Sequence, residues 1–226
     1  MLMLLLQVDA LATNGYEGQD EISLISLLLK GGLIMIPLAL LGAAALFIFI
    51  ERYLNIKRAS QNPEELFEKV KKAVLEGNIQ KARAICAKED NPVSRMLDRG
   101  IGKLGFDMKS IEATIENAAK LEIYRLEKNL GILATISGAA PMIGFFGTVT
   151  GMISAFIAIA QQEGAVSPKL LSSGIYEAMI TTAAGLFVGI IAYVGYNYLV
   201  TQIQKVIYNM ELTTIEFVEL LERPHA

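Results

Sequence analysis

One cysteine, one histidine and a scarcity of charge set the first limits on this 226-residue chain. Cys86 has no second cysteine for an intrachain disulfide and reads as an inert thiol. His225, in the terminal RPHA, cannot build a metal cluster alone, so no metal and no other cofactor is expected. A net charge of −3 leaves no dominant basic face for counterion release, which removes the case for a nucleic-acid partner. A glycine-rich phosphate loop is missing as well. Only 19% of the residues are charged while 53% are hydrophobic, a richer apolar content than soluble domains carry, and this points to the lipid bilayer.

What the chain does have is three long runs almost free of charge. Residues 31–50, GGLIMIPLALLGAAALFIFI, carry none, and as a helix they measure about 30 Å, the thickness of the hydrocarbon core. Residues 131–160 are also uncharged, and residues 170–204 hold one carboxylate, Glu177. As helices these two runs are about 45 and 50 Å long, so they tilt or protrude. The 161–169 segment, with Gly164 and Pro168, is a turn that makes them an antiparallel hairpin. The predicted fold class is therefore all-α, an integral membrane protein with three transmembrane helices and long helices that extend into a helical cytoplasmic domain.

Basic residues orient the spans. Of the 20 lysines and arginines, 16 lie between Arg52 and Lys128, which puts residues 51–130 and the 205–226 helix and tail in the cytoplasm. Residues 1–30 and the hairpin turn are then outside. The start, MLMLLLQVDALA, lacks a basic n-region and reads as a translocated tail instead of a cleaved signal. Ile22, Ile25, Leu28 and Leu29 follow Asp20 at helical spacing, which predicts a short amphipathic helix on the outer surface.

In the cytoplasmic region Asn62 is a candidate cap, Pro63 suits a first turn, and Leu66, Val70, Ala73 and Val74 make one apolar stripe that ends at Gly77 and Asn78. IQKARAICAKE is a second helix, stopped by Asn91 and Pro92, and PVSRMLDRGIGKLG a third. From a cap at Asp107 the pattern predicts one unbroken helix from about 108 to 160, running into the second span. Charges alternate along this region as on solvated faces, with no catalytic pattern.

The hairpin carries what chemistry there is. Gly144, Gly147, Thr148, Gly151 and Ala155 share one helical face, and Ala178, Thr182, Gly185 and Gly189 share another. Each face contains a GxxxG spacing, which lets backbones approach closely and is a packing signal before it is anything else. Thr148 and Thr182 both fall about 18 Å in from the outer ends of their spans. Two hydroxyls at one depth can line a polar path or bond to carbonyls of their own helices. Glu177 lies about 10 Å in and is offset from Thr182 around the helix. An ionised carboxylate at that depth is costly, so the neutral form is favoured, as a relay acid or as a hydrogen bond across helices.

GFFGTVTGM (144–152) and GIYEAMITTAAGL (174–186), on the last two of three spans and after a large cytoplasmic insertion, resemble the MotA/TolQ/ExbB proton-channel family, and its ExbB branch most. The resemblance implies a ring-forming homopentamer in the bacterial inner membrane, with a periplasmic N-terminus and a cytoplasmic C-terminus. It also implies two copies of an ExbD-like single-span partner inside the ring, and a TonB-like protein driven by the proton-motive force for outer-membrane transport. Thr148 and Thr182 match the family's pore-lining threonines, and Glu177 its intramembrane glutamate. Thr181 stands at an alanine position of the ExbB pattern, so which of Thr181 and Thr182 faces the lumen stays open. The spans hold no Asp, Lys, Arg or His, so the titratable group of such a motor has to come from a second chain, in the family an aspartate of the ExbD helix.

Other classes compete. An intramembrane hydrolase needs a nucleophile with its base, or a metal, and the spans supply neither, so no enzymatic activity is expected. A passive scaffold that clamps other helices uses the same glycines. A TolQ-like role in envelope integrity is the nearest neighbour, whereas a MotA-like stator has four spans and this chain has three.

Overall fold

The computed structural model describes residues 31–60, 63–161 and 168–222. The expected surface helix before residue 30, the Asn62 cap and most of the hairpin turn lie outside the described residues. Those described form α1 (Met35–Ala59), α2 (Pro63–Leu75), α3 (Ile79–Lys88), α4 (Pro92–Ile101), α5 (Met108–Glu127), α6 (Leu130–Gln161) and α7 (Pro168–Glu222). Long apolar windows able to cross a bilayer fall in α1, α6 and α7. The 55 residues of α7 far exceed the roughly 20 that a bilayer requires, so the third span and the C-terminal helix are one element. Two compact units divide the chain: one takes in the residues up to Leu38 with Ile143–Gly185, the other Ala39–Met142 with Leu186–Ala226.

The second unit contains the charged helices α2 to α5. Helix α2 buries Leu66, Phe67, Val70 and Ala73, so Phe67 joins the stripe and Val74 stays only partly covered. Gly77 ends it with φ +69°, a left-handed conformation that costs glycine nothing, and Asn78 begins α3 by accepting the Lys81 N–H at 3.0 Å. Asn91 stops α3 because it starts α4. Its side chain accepts the Ser94 N–H at 2.7 Å while Ser94 Oγ accepts the Asn91 N–H, a reciprocal capping box with Pro92 in the first turn. Met96, Leu97 and Ile101 of α4, Ile115 of α5 and Phe217 of α7 are almost wholly buried, each side chain contributing about 1.5–3 kcal/mol. Gly100 permits the approach, since a Cβ there would lie 2.6 Å from Ile115 and 3.4 Å from Phe217. Cys86 is buried beside this core, and burial, assisted by Asp98, pushes its thiol up to about 12.

The unbroken helix expected from 108 to 160 is interrupted. Asp107 caps α5 as anticipated, accepting the Ser110 N–H at 3.0 Å, but α5 ends at Glu127 and α6 begins at Leu130. Between them Asn129 adopts φ +65°, and its carbonyl accepts the N–H groups of Ile132 and Leu133 at the start of α6. Asparagine tolerates this left-handed conformation better than most residues, so it breaks a helix without a glycine or proline.

Beyond the break, Pro141 lies inside α6 and has no N–H to give the Ser137 carbonyl. Gly189 of α7 faces this point: a Cβ there would lie 2.5 Å from the proline ring and 3.0 Å from the Ser137 carbonyl. On α1, Phe49 and Tyr53 stack at 6.2 Å, and Phe49 rests over Gly195 of α7. Beside them, buried charge appears. Glu122, 4% exposed, accepts Arg95 Nε and Nη2 at 2.9 and 2.7 Å on one oxygen and Arg125 Nη1 at 2.5 Å on the other. Arg52, 6% exposed, pairs with Glu51 and donates to the Arg125 carbonyl at 3.3 Å.

Candidate functional site

In the first unit α6 and α7 meet along small residues. A Cβ on Gly144 would lie 2.7 Å from the Thr181 carbonyl oxygen, 3.1 Å from Gly185 Cα and 3.2 Å from Thr182 Cα, so backbone touches backbone here. On Gly147 it would meet the Thr181 side chain at 2.5 Å, and on Gly151 the Ala178 Cβ at 3.0 Å. Further out Gly174 takes Ala155 in the same way. The seam on α7 is therefore Gly174, Ala178, Thr181 and Gly185, spaced four, three and four. That averages about 3.7 residues per step, close to the period of a straight helix, and it keeps Ala178 and Gly185 of the expected 178-182-185-189 face while Thr181 stands in the seam in place of Thr182.

The two threonines are placed differently against α6. Thr181 is 2% exposed in the seam and donates to its own helix at the Ala178 carbonyl, 2.7 Å away, with the Gly144 carbonyl at 3.4 Å. Thr182, one residue on, is half-buried at the seam's edge, level with Thr148 of α6. The hydroxyls of Thr148 and Thr182 are hydrogen-bonded to each other, and either can be the donor. Both also reach the Gly144 carbonyl, at 3.3 and 3.1 Å. One carbonyl thus anchors two hydroxyls that can exchange donor and acceptor roles by rotating a single O–H each.

Glu177 is placed apart from this group. It is exposed within the chain and its carboxyl lies against Gly32, whose φ of +67° precedes the start of α1. A side chain on Gly32 would collide with that carboxyl. Of the expected site residues, then, Thr148, Thr181, Thr182, Gly144, Gly147, Gly151 and Gly185 come together, while Glu177 belongs to the Gly32 turn and Gly189 to Pro141. The seam position of Thr181 was legible in principle from the four-three-four spacing of small residues. The Gly32 contact had no local signal, because it joins residues 145 apart in sequence.

Residues 88–212, more than half of the chain, match the family described as the MotA/TolQ/ExbB proton channel family. The chain belongs to this family. The matched segment contains every threonine and glycine of the seam, and the family is one of membrane transport proteins, not a class of enzymes. A putative biopolymer transport protein ExbB homolog of Methanothermobacter thermautotrophicus is 29% identical over 185 residues, 81% of this chain and 65% of the relative. The putative biopolymer transport protein ExbB-like 1 of a Synechocystis species is 33% identical over 176 residues, 76% of this chain and 69% of the relative. The Tol-Pal system protein TolQ of Haemophilus influenzae is 37% identical over 106 residues, 47% of this chain and 46% of the relative. The chain thus spans at most about two thirds of the length of these relatives. With its three long apolar helices, this MotA/TolQ/ExbB member is a multi-pass membrane protein.

Proposed function

We propose that the chain is the proton-channel subunit of an inner-membrane motor that couples the proton-motive force to TonB-dependent outer-membrane transport. The observation that carries this is the half-buried Thr148–Thr182 hydroxyl pair on the Gly144 carbonyl, within the family-matched hairpin and at the edge of its seam. The spans contain no Asp, Lys, Arg or His, so an ExbD-like helix with an intramembrane carboxylate supplies the titrating group. Five copies of this chain surround two of that partner, the N-terminus is periplasmic and the C-terminus cytoplasmic. Each charge moved through 100 mV releases about 2.3 kcal/mol, enough over several steps to shift a packed interface.

Thr148→Val and Thr182→Val keep the side-chain shape and remove the hydroxyl. Each is expected to reduce proton flux at least tenfold in proteoliposomes that also hold the partner, with the oligomer mass unchanged. Normal flux in both variants overturns the polar-path role. Glu177→Gln is expected to be milder than Glu177→Ala, because an amide keeps a hydrogen-bonding capacity that a methyl loses.

A second reading has its own observation. All three hydroxyls bond to backbone carbonyls, as they would in a scaffold whose threonines only fasten helices. Loss of the oligomer in the valine variants, before any loss of flux per assembled ring, favours that reading. The similarity to TolQ keeps a role in envelope integrity as the alternative client; co-purification with a TonB-like or a TolA-like chain separates the two.

A further inference from the structure

Beside the Glu122 network, within the second unit, a cavity of about 270 Å³ opens between the end of α1 and the α5–α6 break. Five cations line it, Arg52, Arg58, Arg95, Arg125 and Lys128, against the carboxylates of Asp90 and Glu122. Glu122 is already saturated by Arg95 and Arg125, and Asp90 pairs with Arg95. Arg58 and Lys128 have no ion pair among the described residues and both are exposed. Arg52 is the decisive residue. It is more than nine-tenths buried, its terminal nitrogens are committed to Glu51 and to the Arg125 carbonyl, and its Nε has no hydrogen-bond partner among the described residues. A buried donor left without an acceptor costs about 1–3 kcal/mol, so Arg52 is under-compensated, and with five cations facing two carboxylates the cavity lining marks a place for an anion.

The cavity's position narrows the anion. Arg52 follows the apolar run of the first span by two residues, and Lys128 precedes that of the second by three, so the cavity falls at the headgroup level of the leaflet on that side. A basic pocket between spans at this depth matches an anionic lipid headgroup in charge and in location. We propose that this cavity binds the phosphate of an anionic phospholipid, with Arg58 and Lys128 as its exposed clamps and Arg52 as the buried cation behind them. The proposal rests on α1 and α6 crossing the bilayer and is independent of proton conduction.

The test uses the purified full-length chain, stripped of lipid and titrated with phosphatidylglycerol or phosphatidylcholine in micelles while thermal unfolding is followed by circular dichroism. Phosphatidylglycerol is expected to raise Tm by about 4 °C or more and phosphatidylcholine by less than about 1 °C. The double variant Arg58→Gln/Lys128→Gln, which touches no buried pair, should keep the lipid-free Tm and need about 30-fold more phosphatidylglycerol for the same shift. Lys72→Gln/Lys109→Gln removes the same charge elsewhere and should titrate like the unaltered protein. Equal response to both lipids, an unchanged titration in the Arg58/Lys128 variant, or an equal loss in the Lys72/Lys109 control overturns the proposal. Inorganic phosphate at the same concentration should leave Tm unmoved; an equal rise with phosphate overturns the lipid assignment.

Discussion

The hairpin seam and the water-exposed helices solve the same packing problem with opposite materials. At the seam, glycine and alanine bring backbones into contact, and hydroxyls bond to carbonyls in place of charges. Among α4, α5 and the end of α7, large side chains such as Met96, Ile115 and Phe217 fill the interior, and a buried carboxylate is held by two arginines. The difference follows from the solvent. In water, burial of apolar side chains drives helices together at roughly 25 cal/mol per Å². In lipid a leucine gains nothing by leaving the tails, so association depends on close van der Waals contact and on hydrogen bonds. The seam is therefore intolerant of added volume, and the aqueous core intolerant of an unpaired charge.

Adding volume at the seam should do the most damage. Gly144→Val places carbon within 2.7 Å of the Thr181 carbonyl, which cannot give way as a flexible side chain would. It should destabilise the hairpin by about 3 kcal/mol, seen as loss of the monodisperse peak in size-exclusion chromatography of the solubilised protein. A variant that elutes normally would mean that the seam opens in the working state. Next comes Glu122→Gln, which leaves Arg95 and Arg125 without their carboxylate; since both arginines are partly exposed, the cost should be about 2 kcal/mol in urea or thermal melts. An unchanged melt would erase the proposed contrast between the two regions. The smallest effect belongs to Thr182→Val, about 0.6 kcal/mol on the same assay, the average worth of a hydrogen bond between membrane helices. A much larger loss would make this hydroxyl a fastener of the hairpin instead of part of a path.

Local and periodic features of this fold are legible in the sequence, whereas features that depend on a second helix are not. The three apolar runs, the Asp107 cap and the threonines sharing one depth are local or periodic features, and each reappears in the structure. The Lys128–Asn129 interruption was missed because asparagine in a charged helix is ordinary until its φ turns positive. Thr181 and Thr182 are hard to separate in the sequence because each completes a small-residue face within about 60° on an ideal helix, and the contact with Gly147 of α6 selects Thr181 for the seam. The Arg52–Glu122 cluster went unread since its members come from α1, α4 and α5, up to 73 positions apart.

By itself the sequence determined that this protein is a membrane protein with three helices long and apolar enough to cross a bilayer, and that it belongs to its family, since those depend on composition, run length and residue order. Tertiary structure alone decided which threonine enters the seam, that Glu177 turns to Gly32 and away from the hydroxyl pair, and where the arginines gather. The reason is that run length and periodicity are properties of one helix, whereas a seam-facing hydroxyl or a gathering of buried guanidinium groups is defined only by what a second helix places beside it.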